Sequence, residues 1–134
     1  MKDLAAIVQP VIKAQNLELV FQTNDGPVHA LKDVSLTIGK GEFVSFIGPS
    51  GCGKTTFLRC MAALESPTDG TLTVNGMSAD QARLQRAYGY VFQAAGLYPW
   101  RTIAGNIKLT LEILGFDRAE QEARVERVMD FVEV

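Results

Sequence analysis

Gly48-Pro49-Ser50-Gly51-Cys52-Gly53-Lys54-Thr55 matches G-x-x-x-x-G-K-[ST] at every fixed position, and its reading decides the fold. Glycines let the backbone take positive φ and approach phosphate oxygens with no Cβ in the way. The loop amides then turn inward as an anion nest, and a helix starting near Lys54 adds its positive end. In that arrangement Lys54 reaches the β- and γ-phosphates, and the Thr55 hydroxyl ligates Mg2+. The alternative is a glycine-rich turn that binds nothing. Composition makes a chance match rare, about one chain of this length in a few hundred. The flanks also argue for a phosphate site, because a buried strand precedes the loop and a helix follows it.

Working outward, Phe43-Val44-Ser45-Phe46-Ile47 is nearly continuous in apolar character, the pattern of a strand buried on both faces of a parallel sheet. Upstream, Leu17, Leu19 and Phe21 alternate, as do Val34, Leu36 and Ile38, with turn chemistry at 23–27 between them. These half-polar runs predict antiparallel strands with one wet face. Downstream, the spacing predicts a helix over 54–64, broken at Ser66-Pro67. Leu72 and Val74 fall in a short strand ending at the hairpin turn Asn75-Gly76, and 88–92 is a second candidate buried strand. Ile103, Ile107, Leu111 and Leu114 recur at helical spacing, with Gly115 as C-cap. A last helix starts at Asp117, with Glu120 suggesting a capping box and Val125, Val128, Met129 and Val132 as its stripe. Arg118 to Arg127 reads as its solvated face.

The bulk numbers narrow the class. Lysine plus arginine total 13 against 15 acidic residues, so no basic surplus points to a nucleic-acid partner. No apolar run reaches the roughly 18 residues that cross a bilayer, and the N-terminus is a poor secretory signal. Cys52 and Cys60 do not form a disulfide framework, which suits a reducing compartment. Residues 1–14 read as a loose tail and 15–134 as the folded part. The last stripe runs on to Val134 with no cap or polar linker, so the expectation is a chain that stops within its domain.

The segment 41–59, with Ala30-Leu31-Lys32-Asp33-Val34-Ser35-Leu36-Thr37-Ile38 before it and Leu64-Glu65-Ser66-Pro67-Thr68-Asp69-Gly70 after it, resembles the Walker A region of ABC transporter ATPases. The resemblance covers about residues 16–134. Phe92-Gln93-Ala94-Ala95-Gly96-Leu97-Tyr98-Pro99-Trp100-Arg101-Thr102 is similar to the nitrate/sulfonate/taurine importer branch. The fold this implies is α/β: a P-loop NTPase of ABC type, with an N-terminal antiparallel β-subdomain and an incomplete parallel core sheet. ATP and Mg2+ are the implied cofactors. Gly48, Pro49, Ser50, Gly51, Cys52, Gly53, Lys54, Thr55 and Thr56 would hold the phosphates. Phe21 would stack on adenine, with Val28 as a second contact, although Phe21 in phase with Leu17 and Leu19 also reads as sheet packing. Gln93 would ligate Mg2+ beside Thr55 and start a mobile loop that reports to the membrane partner. Trp100 and Arg101 would face a coupling helix of that permease, against the alternative of Trp100 packing under its own loop.

Other residues take plainer readings. Cys52 is chiefly a small residue at a variable loop position, and His29 is a surface strand residue far from the family's switch histidine. Ala63 departs from the family's usual glycine, with an added methyl expected to crowd helix–sheet packing. The signature motif, the Walker B aspartate, the catalytic glutamate and the switch histidine are not in this sequence. The resemblance therefore implies the N-terminal half of a nucleotide-binding domain. Its parent subunit would hydrolyse ATP as a head-to-tail dimer at the inner membrane face, fed by a solute-binding protein. The 134-residue chain alone would bind nucleotide without turning it over. The alternative is a non-catalytic nucleotide-binding fragment with no transport role.

Overall fold

Residues 10–133 are described in the computed structural model, which divides into two units, one ending at Tyr90 and one beginning at Val91. In the first unit, strands β1 (Pro10–Thr23) and β2 (Gly26–Gly39) form a long antiparallel hairpin closed at Thr23 opposite Gly26. Strand β3 (Asp69–Val74) pairs antiparallel with the other edge of β1, and β4 (Met77–Ser78) pairs with β3. The sheet order is β2-β1-β3-β4. Asn75 and Gly76 both take positive φ, 51° and 76°, as the two-residue turn between β3 and β4 requires.

The core follows from these periodicities. β1 contributes Ala14, Leu17 and Leu19, and β2 contributes Leu31. Helix α1 (Lys54–Met61) lays Phe57 and Cys60 against them, three residues apart and so on one face. The Phe46 ring meets Phe57 edge-on at 5.6 Å, which fixes the segment leading into the glycine loop. Helix α2 (Ala79–Leu84) begins in a full capping box between Ser78 and Gln81.

Four expectations change. Residues 10–14 are strand, not tail, because this stretch is sandwiched between β2 and β3 and bonds to both; residues 1–9 lie outside the described residues. Helix α1 ends at Met61 and not at Leu64, since the chain turns through a left-handed Ala63. Neither 43–47 nor 88–92 is a strand; apolar character alone does not make a strand, which needs a regular ladder. Helix α2 was not foreseen, its apolar stripe being too short to show a period.

In the second unit, α3 (Ile103–Leu114) and α4 (Arg118–Phe131) are the two expected helices. Thr102 and Asp117 cap their N-termini through side-chain oxygens, and Gly115 closes α3 in the left-handed conformation. Within the stripes only Val125 is fully buried, while Ile103 and Leu114 stay exposed. Lys108 and Glu122 bridge the helices at 3.8 Å. Among the described residues no helix is long and apolar enough to cross a membrane.

Candidate functional site

The glycine loop lies between Phe46, anchored on Phe57, and α1. Its last glycine, Gly53, is the N-cap of α1 with φ of 98°, and it offers no side chain to the helix's leading amides. Every other described helix has a side-chain cap, from Ser78, Thr102 or Asp117. The open α1 terminus therefore presents N–H groups and the positive helix end to the loop. A Cβ on Gly53 would come within 2.7 Å of the Ala30 carbonyl oxygen on β2. Both the positive φ and this close approach demand glycine.

Lys54 folds back over the loop. Its Nζ donates to the carbonyl oxygens of Gly48 and Pro49, each at 2.7 Å, and lies 3.4 Å from Cys52 Sγ. The ammonium thus sits at the centre of the loop, where it can exchange carbonyl acceptors for anionic oxygens. Thr55 is exposed at the mouth and Thr56 is half-buried. A cavity of about 380 Å3 underlies the loop, lined by Leu31, Leu36, Phe46, Lys54 and Phe57 among others. A Cβ on Gly51, by contrast, would meet nothing within 4 Å, so the outer side of the loop has room for a phosphate group. Cys52 is exposed and Cys60 buried; burial, then the nearby Glu65 carboxylate, push the Cys60 thiol above its ordinary value.

Phe21 and Val28 are partners across the β1–β2 hairpin and both are exposed, 39% and 51%. Phe21 is not core packing, although it alternates with buried Leu17 and Leu19. It lies past Leu19, the last core residue of β1, and two residues from the strand's end at Thr23. Val28 is two residues along β2 from Ala30, whose carbonyl a Cβ on Gly53 would meet, a step of about 7 Å. His29 is exposed on the same strand.

Gln93 belongs to the second unit, exposed at a bend. Tyr98 and Trp100 have ring centroids 5.0 Å apart, and Trp100 is 76% exposed, so it does not pack under its own loop. Arg101 is engaged internally: Nη1 donates to the Gly105 carbonyl at 3.2 Å and lies 3.4 Å from Glu112. One residue escaped the sequence reading. Asn106 bonds four times to the backbone of 98–102, and an asparagine four positions after a threonine cap was its only signal.

With this geometry in place, the comparisons are specific. The ABC transporter family profile matches residues 31–134. The taurine import ATP-binding protein TauB of Pelagibacter ubique is 41% identical over 120 residues, which are 89% of this chain and 44% of that protein. The osmoprotectant import ATP-binding protein OsmV of Salmonella typhimurium is 40% identical over 126 residues, 91% of this chain and 33% of that protein. The methionine import ATP-binding protein MetN of Bordetella pertussis is 39% identical over 128 residues, 91% and 35% respectively. An ATP-binding cassette solved as a dimer in a post-hydrolysis state, bound to ADP and Pi, superposes with a TM-score of 0.81 at 30% identity. That match covers 92% of this chain and 57% of the solved one. The chain thus spans less than half the length of these curated relatives and shares the fold of ATP-binding cassettes.

Proposed function

The chain belongs to the ABC transporter family, and from that premise we propose that it binds Mg-ATP through residues 48–56 as part of the ATPase subunit of an importer. One observation carries this reading: the Lys54 ammonium rests on the loop carbonyls of Gly48 and Pro49, directly before an α1 terminus with no side-chain cap. A phosphate there gains the backbone amides, the helix dipole and the lysine together. Thr55 would hold Mg2+, and the bound metal would neutralise phosphate charge. Phe21, backed by Val28, would offer an apolar face to the adenine. The exposure of both residues and the short step along β2 to the loop support that role.

The rest of the proposal concerns the whole protein. Its subunit would hydrolyse ATP as a head-to-tail dimer on the cytoplasmic face of the membrane, docked on a permease through the Trp100 region and served by a solute-binding protein. The 134-residue chain alone would bind without turnover. The solute would be a small anion or organic solute of the nitrate, sulfonate or taurine type. Pro99-Trp100-Arg101-Thr102 and the taurine-import relative support this choice.

Removing the ammonium tests the premise. Lys54→Ala should weaken Mg-ATP binding by about tenfold to a hundredfold, the worth of one or two charge-assisted hydrogen bonds. Titration of a fluorescent ATP analogue, with thermal melting to confirm folding, measures this. Equal affinity in a folded variant would end the reading.

A further inference from the structure

From the sequence, Trp100 and Arg101 share one role, and the geometry separates them. Arg101 turns inward to Gly105 and Glu112, and Thr102 caps α3 by accepting from Gly105 N at 3.0 Å. Among the described residues, Trp100, 76% exposed and tilted against Tyr98, makes no bond back to α3 that would hold it. A protruding indole on a loop outside any helix or strand would ordinarily sample many positions.

Asn106 prevents that. Its Oδ1 accepts from the Tyr98 amide at 2.7 Å. Its Nδ2 reaches the carbonyl oxygens of Tyr98 at 3.1 Å, Arg101 at 3.3 Å and Thr102 at 3.0 Å, so two hydrogens are shared among three acceptors. The Arg101 amide closes a turn onto Tyr98 O at 3.0 Å. The loop 98–102 is thereby bonded to the first turn of α3 as one body. Asparagine is a mediocre helix former, and here its carboxamide serves the loop and not the helix.

We propose that Asn106 is a positioning residue that presents Trp100, already ordered, to an apolar helical segment of the membrane-embedded partner. The proposal rests on the docking reading given above. Ordering the indole before contact removes an entropic cost from association, which is how preorganised loops gain affinity.

Two substitutions and two measurements test it in the full-length subunit. Asn106→Leu keeps the branched shape and raises helix propensity, while the backbone bond from Asn106 N to Thr102 O, 2.9 Å, does not involve the side chain. Asn106→Asp keeps the acceptor for Tyr98 but sets a carboxylate against three carbonyls. In both variants, hydrogen exchange in a peptide spanning 97–102 should speed up by about tenfold, with α3 beyond its first turn unchanged. With the membrane subunits reconstituted in lipid vesicles, partner-stimulated kcat should fall about fivefold to tenfold at unaltered KM for ATP, in step with Trp100→Ala. Unchanged exchange overturns the proposal. Faster exchange with intact stimulation, while Trp100→Ala is impaired, overturns it too and leaves the docking reading standing. Full stimulation in Trp100→Ala removes the docking reading, and the proposal with it.

Discussion

Ala63 takes φ of 49° immediately after α1. Its amide donates to Cys60 O at 3.0 Å and the Leu64 amide to Arg59 O at 2.9 Å, the paired bonds of a Schellman closure. That position favours glycine, because a Cβ in the left-handed region costs about 1–2 kcal/mol. The departure at Ala63 is therefore a backbone matter, in addition to the helix–sheet crowding expected from the sequence. Ala63→Gly should stabilise the chain by about 0.5–1 kcal/mol, the relief of strain less the added freedom of the unfolded glycine. Urea denaturation would show this as a higher midpoint at constant slope, and a lowered midpoint would refute it. At this scale the left-handed Gly51 and Gly53 and the helix that starts at Lys54 were legible, since each answers a local demand. The internal engagement of Arg101 and the fourfold bonding of Asn106 were not, because both depend on where α3 returns its first turn.

At the scale of elements, the helices with caps and periods emerged where the sequence placed them. Thr102, Gly115 and Asp117 are local signals, and a helix satisfies its own backbone, so nothing distant was needed. Asp117 Oδ1 accepts from the Glu120 amide at 2.9 Å, and α4 then runs with the i,i+4 pairs Arg118–Glu122 and Glu120–Arg124. Asp117→Ala should cost about 1 kcal/mol and fray the first turn of α4. Amide exchange at 118–121 should then rise while α3 keeps its protection; a uniform rise across both helices would mean that the cap supports the pair and not the turn. Strands behave differently. Leu17–Phe21 and Val34–Ile38 were legible because β1 and β2 are joined by a short turn and supply each other's ladder. Phe43–Ile47 has the apolar run of a buried strand, yet a strand is a property of two segments, and its composition says nothing about whether the second is at hand. The bulges after Ala14 and Leu17 likewise shift the register in ways that alternation alone does not reveal.

For the whole molecule, the consequence lies in that unpaired segment. Phe43 and Ile47 are 95% and 94% exposed in the first unit, on a stretch that makes no ladder among the described residues. Covering a large apolar side chain is worth about 1.5–3 kcal/mol, and unpaired strand-like backbone is a template for another chain. The 134-residue chain prepared alone should therefore self-associate as its concentration rises and bind a hydrophobic dye. Phe43→Ser with Ile47→Ser should suppress both effects with little cost to the fold, because neither side chain contributes to the Leu17–Phe57 core. Sedimentation velocity over a concentration series, with dye fluorescence in parallel, distinguishes the outcomes. A parent chain that stays monomeric and dark throughout would show that these side chains are covered in solution. Association that persists in the double variant would place the adhesive surface elsewhere, and Val91, equally bare in the second unit, would be the next substitution to make.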